Sequence, residues 1–203
     1  MAIISKEEIE KIMGINGEVI GASLKEDMQF VLEKEGKKKG EADLIRLEKE
    51  MAKLGYPISF DKIKSFQWYP LNTNMLYLAV AKEIFGWSDD VFRENGRFSA
   101  RISLIARIMM KYFVSLKRCF REAGNFWQKY YTVGELKTEE LDEKKHSAFL
   151  VLRDFVGHPN FCRILEGYFW QVVSYVAPKE KLKVQEIECV FKGAKTHKFK
   201  VTW

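Results

Sequence analysis

Apolar residues recur first at helical spacing and, past residue 130, at strand spacing. Lys6 to Met13 and Lys25 to Glu35 read as short helices on either side of the turn-rich Gly14-Ile15-Asn16-Gly17, with Ser23 as an N-cap and Gly36 as a stop. From Glu41 to Leu54, Leu44, Leu47, Met51 and Leu54 recur at steps of three and four on an otherwise charged helix. So narrow a stripe predicts a helix on the surface or against a partner chain. A helix is expected from Thr73 to Phe85, stopped by Gly86, and Asp89 to Glu94 should lead into an Asn95-Gly96 turn. The longest helix is expected from Ser99 to Phe120, where Ile102, Ile105, Met109, Tyr112, Phe113, Leu116 and Phe120 make a broad apolar face.

After Gly124, the aromatic run Phe126-Trp127-Gln128-Lys129-Tyr130-Tyr131 predicts a short helix or turn, and the period then falls to two. Glu135 to Leu141 and His146 to Phe155 read as a hairpin turning at Asp142 to Lys145. Phe161, Leu165, Tyr168, Val172 and Val176 define one more amphipathic helix, in which Gly167 permits close approach to a neighbour. In the last hairpin, parity puts Ile187, Cys189 and Phe191 on one face, and His197, Phe199, Val201 and Trp203 on one face of the return arm. A loop at Gly193-Ala194-Lys195 would pair Phe191 with His197 and Cys189 with Phe199.

The 203 residues, 47% hydrophobic and 31% charged, exclude disordered and collagenous classes, and no Pro, Gly or Ser-rich linker interrupts them. One domain is expected, with a helical N-terminal elaboration over 1–60 and a core over 61–203. Three cysteines are too few for a disulfide framework, and no signal-peptide pattern opens the chain, so a cytoplasmic protein is expected. The longest apolar run, Ile102 to Met110, is broken by Arg107 and too short for a membrane span. A net charge of +6 permits weak attraction to phosphates, but the lysines between Lys179 and Lys200 read as solvated faces, and a nucleic-acid partner is not expected.

Cys189 and His197 would lie diagonally on one otherwise apolar face, with Cys162 on the preceding helix as a third donor and Glu166 one turn further on. Sulfur and imidazole are donors that zinc takes; the alternative is a buried cysteine beside a hydrogen-bonded histidine. His146 and His158 read as surface residues, and Cys119, between Arg118 and Arg121, as part of a surface helix. Nucleotide-binding and hydrolase motifs are absent, and an enzyme is not expected. The 15 Phe, eight Tyr and five Trp either fill a core or line a cavity, for which Ile105, Met109, Tyr112, Phe113, Tyr168 and Phe169 are the candidate lining residues.

The closing pattern Glu186-x-x-Cys189-x-x-x-Gly193-x-x-x-His197-x-Phe199-x-Val201-Thr202-Trp203 resembles the end of four-vinyl reductase-type small-molecule-binding domains. Trp68-Tyr69-Pro70, Phe85-Gly86, Asn95 to Ala100, Trp127-x-x-Tyr130-Tyr131-x-x-Gly134 and Gly167 look like landmarks of a related family of uncharacterised bacterial proteins. The resemblance implies an α+β fold shared with heme nitric-oxide sensors and vesicle-tethering subunits, with helices packed on one side of a small antiparallel sheet. It implies zinc at Cys162, Cys189 and His197, although His197 stands where relatives have Cys. Heme is not expected: the Tyr-x-Ser-x-Arg motif of the heme variant is missing and no histidine sits mid-helix. These readings point to a non-enzymatic binding protein or sensor for a small hydrophobic or aromatic molecule. The alternative is a homodimeric interaction scaffold in which the helix Glu41 to Leu54 meets its copy.

Overall fold

The computed structural model describes residues 3–104, 106–107 and 115–203. Helix α1 (Lys6–Met13) starts where the Ser5 hydroxyl accepts the Glu8 N–H, with Glu7 and Glu8 beside the positive end of its dipole. Strand β1 (Glu18–Ile20) pairs antiparallel with β2 (Trp68–Pro70). Between them run α2 (Gly21–Glu35) and α3 (Lys37–Lys53), separated by Gly36 at φ 79°. Ser23 falls inside α2 rather than at its cap. Leu44, Leu47 and Met51 are buried against α2 and α4 (Leu71–Phe85), so the narrow stripe of α3 is covered within the chain and not by a partner.

Helix α5 (Asp89–Ile102) carries Asn95-Gly96 in its interior, where a turn was expected. The pair marks a turn only where nothing else uses it. Here the Asn95 side chain is a buried hydrogen-bond donor, and Gly96 faces α8 (Pro159–Val173) so closely that a Cβ would lie 2.0 Å from the Ile164 carbonyl oxygen. Gly167 reciprocates, its Cβ position lying 1.9 Å from the Arg93 carbonyl oxygen. Two glycines thus let α5 and α8 pack backbone to backbone.

The expected helix Ser99 to Phe120 is also interrupted. α5 stops at Ile102 because Ser103 turns extended (φ −55°, ψ 122°) and its hydroxyl accepts the Ala106 N–H instead. Beyond Ser103, Leu104, Ala106 and Arg107 are helical again, and α6 (Leu116–Arg121), capped by Ser115, and α7 (Ala123–Trp127) come before the sheet.

The C-terminal sheet is fully antiparallel, in the order β3 (Glu135–Asp142), β4 (Ser147–Arg153), β6 (His197–Thr202), β5 (Lys183–Glu188). Helices α6, α7 and α8 pack on it, and Phe169 of α8 meets Phe199 of β6 edge to face at 5.2 Å. The class is α+β, as the resemblance implied. The register of the last hairpin differs from expectation: Phe199 pairs with Glu186, not Cys189, and a bulge between Glu186 and Glu188 shifts the phase. Residues 190–192 form a 3-10 turn that ends at Gly193 with φ 87°. Ile187 and Phe191 therefore face solvent while Glu186 points inward. No described helix is long and apolar enough to cross a membrane.

Candidate functional site

Two sites stand out, a cavity between the helical half and the sheet half, and a thiol–imidazole cluster beside it. The aromatic segment after α7 is tied to β1, since the Ile20 N–H bonds the Tyr130 carbonyl and the Thr132 N–H bonds that of Glu18. That link closes a cavity of about 40 Å³ over α2, α5 and α8. Its walls are apolar, with Phe126, Trp127, Leu136, Phe161, Leu165 and Phe169, and Trp127 stacks on Tyr131 at 4.3 Å. A second void of about 40 Å³, reaching Cys119 and Leu150, shares Phe126, Leu136, Tyr168 and Phe169 with the first. Movement of those shared side chains would join the two.

The polar end is built by α2. Asp27 accepts from Asn95 Nδ2 at 2.9 Å and from Asn74 Nδ2 at 3.1 Å, so both carboxyl oxygens are satisfied. Burial nevertheless raises its carboxyl to about 6, against the pull of both amides. Burial pushes the neighbouring Glu26 up to about 8, with the Ser103 hydroxyl opposing and the Asp27 charge adding. The Ser103 hydroxyl also bonds that of Tyr130, to which the Tyr168 hydroxyl donates at 3.3 Å. Burial lifts the Tyr130 and Tyr168 phenols above their usual range, so the chain of hydroxyls stays neutral.

Of the candidate lining residues, Tyr168 and Phe169 border the cavity, whereas Ile105, Met109, Tyr112 and Phe113 lie outside the described residues. Sequence reasoning missed Glu26 and Asp27. A signal existed: Asp27 is three residues from both Leu24 and Phe30, on the buried stripe of α2.

Cys162, Cys189 and His197 do come together, and Glu186 joins them, one donor atom of each lying within 4.8 Å of the others. Cys162 Sγ is 4.0 Å from Cys189 Sγ and 3.6 Å from His197 Nδ1, which is 2.8 Å from Glu186 Oε1. The carboxylate in the cluster is Glu186 rather than Glu166. Glu166 is committed elsewhere, to Arg93 at 2.7 Å, Arg163 at 2.8 Å and the Glu186 N–H at 2.8 Å. Parity concealed Glu186 because the bulge that turns it inward leaves no mark in the alternation.

Two surface expectations fail. Cys119 is buried, and burial pushes its thiol up to about 12, because α6 turns Cys119 and Phe120 toward the core. His158 is buried too, capping α8 by accepting the Asn160 N–H at Nδ1 and meeting Glu8 at 3.3 Å.

No protein-family model and no curated protein matches the sequence. Solved structures do match. An H-NOX protein from S. oneidensis in the Fe(II)NO ligation state is similar over 90% of this chain and 97% of its own, at TM-score 0.65 and 12% identity. The fold is that of the H-NOX domains. An oxygen-binding H-NOX domain related to soluble guanylate cyclases matches over 90% of this chain and 93% of its own, at TM-score 0.58 and 14% identity. A structure probing heme distortion in the H-NOX family matches over 90% and 94%, at TM-score 0.59 and 14% identity. The α+β fold that the sequence resemblance implied, one shared with heme nitric-oxide sensors, is thus found, while the four-vinyl reductase label gains no support.

The cofactor expectation is corrected by the same finding. Solved H-NOX structures are described with Fe(II) ligation states and heme, the group the sequence reading set aside, and the comparisons give zinc no support. The missing motif and histidine placement misled because fold similarity at 12–14% identity carries no motif. A void of about 40 Å³ is far too small for a planar macrocycle, among the described residues no histidine lines it, and its phenols are held neutral.

Proposed function

We propose that this chain is a small-molecule-binding sensor that encloses an apolar or aromatic ligand between α2, α5, α8 and the aromatic segment 126–131. The observation that carries the reading is the cavity itself, enclosed by aromatic side chains, with a few hydrogen-bonding groups at one end and a second void behind a shared wall. Each void, at about 40 Å³, is smaller than the roughly 150 Å³ that takes up benzene, so a ring enters only by parting the shared wall; burying it at about 25 cal/mol per Å² of apolar surface stabilises the complex by several kcal/mol before the costs of that opening and of association. The shared wall includes Tyr168 and Phe169 of α8, so a ligand that parts it would move α8 against α5. The scaffold alternative is disfavoured, because the α3 stripe it needs is already buried within the chain.

Titration with ethylbenzene, read by the fluorescence of Trp127 with Trp127→Phe as control, tests the reading. A saturable change lost in the variant supports it, and no saturable change in fluorescence or melting temperature refutes it. A parallel titration with hemin, read by a Soret shift, tells whether the same cavity takes a tetrapyrrole. A second reading, of Cys162, Glu186, Cys189 and His197 as holding a metal ion, is favoured by four donors within 4.8 Å. Elemental analysis of the purified protein and of Cys189→Ser checks it; equal, substoichiometric metal in both would end that reading.

A further inference from the structure

The cavity has a charge asymmetry that bears on which ligand it takes. Its described lining includes two carboxyl groups, Glu26 and Asp27, and no Lys, Arg or His. Both oxygens of Asp27 accept from amides, which leaves Glu26, with only the Ser103 hydroxyl on it, as the carboxyl available to a ligand. Glu26 is only 6% exposed, and the groups acting on it are the Ser103 hydroxyl and the Asp27 carboxyl. It also lines an outer groove of about 220 Å³, together with Lys25, Gln29 and two exposed apolar side chains, Phe66 and Leu104.

A buried carboxyl without a counter-cation is costly in its charged form and stays protonated. A cationic head group would supply the missing partner, and a carboxylate head would add a second unpaired acid to an enclosed space. We propose that the cavity selects aromatic ligands with a primary ammonium head, seated against Glu26 with the ring between Phe126, Leu136 and Phe169, and rejects carboxylates of the same body. The inference rests on the cavity being the ligand site proposed above. The other polar groups facing this position are Asp27, Ser99, Ser103, Tyr130, Tyr131 and Tyr168, none of which carries positive charge. When the ammonium binds, the carboxyl proton passes to solvent and the ligand keeps its own, so binding releases a proton.

Three ligands with one body, 2-phenylethylamine, 3-phenylpropionate and ethylbenzene, separate the two levels of the argument. Calorimetry at pH 7 should show the amine binding at least tenfold more tightly than the carboxylate, with an amine heat that varies with the ionisation enthalpy of the buffer. Glu26→Gln should erase that preference and the buffer dependence while ethylbenzene still binds. Equal affinity for amine and carboxylate, or an amine preference that survives Glu26→Gln, overturns the head-group inference alone, provided ethylbenzene binds. If none of the three binds, the ligand-cavity reading falls with it.

Discussion

Replacing Gly167 by Ala tests whether the backbone contact of α5 and α8 holds the two halves of the fold together. On an isolated helix Ala would be favoured over Gly by about 1 kcal/mol. In this protein the new Cβ would sit 1.9 Å from the Arg93 carbonyl oxygen and 3.0 Å from the Arg93 Cα, both rigid backbone. Ordinary contact begins near 3.4 Å, so the helices must separate by roughly 1.5 Å. That displacement opens the contact that aligns Arg93 with Glu166 at 2.7 Å and Asn95 with Asp27 at 2.9 Å. Overpacking costs about 1–3 kcal/mol, and a weakened hydrogen bond to a charged group about 1.5–3 kcal/mol. The net expectation is a loss of about 3 kcal/mol, which for a domain of this size lowers the melting temperature by about 6–12 °C. Urea unfolding followed by circular dichroism measures it. Gly14→Ala serves as the control, since Gly14 has φ −75° and its nearest neighbours are at 3.5 Å; it should be neutral or slightly stabilising. Gly96→Ala should cost a similar amount, and the double variant less than the sum, because one separation relieves both clashes. A Gly167→Ala protein as stable as the parent would refute the argument.

Other expectations concern the buried polar groups. Glu26 and Asp27 have carboxyls raised in the fold, to about 8 and about 6, so the stability they allow is complete below about pH 4 and is lost as pH rises through those values. Glu26→Gln should therefore gain on the parent steadily between pH 5 and pH 9 in urea unfolding, and a difference independent of pH would contradict the assignment. Asn95→Ala strips the donor from Asp27 Oδ1 and should destabilise by about 2–3 kcal/mol; a loss under about 0.5 kcal/mol would show that the amide is dispensable. Cys119, with its thiol at about 12, should resist iodoacetamide at pH 8 in the native protein and react in guanidinium, as peptide mass mapping would show; native alkylation would mean that it is not buried.

The features legible in the sequence are those set by neighbours along the chain. The span of α1, the stops at Gly36 and Gly86, and the change of period that begins the sheet follow from caps, left-handed glycines and alternation, which need no distant partner. Cys162, Cys189 and His197 could be brought together on spacing, even though the register that places them was wrong. Tertiary structure decided the rest. Asn95-Gly96 spells a turn until Asp27, 68 residues away, takes the amide and α8 takes the space beside the glycine. Ser103 continues an apolar helix pattern until the Tyr130 hydroxyl claims its side chain. Glu26 and Asp27 are not singled out by the sequence, because a charge in an amphipathic helix is assigned to water unless something else accommodates it. The amides and hydroxyls that accommodate them come from α4, α5 and the end of α5, and only folding brings those elements to α2. The sequence by itself therefore determined the class and most element spans, which depend on local propensity. Which polar groups are buried, and hence where a ligand is held, depends on long-range partners, since their burial is tolerable only once those partners are in place.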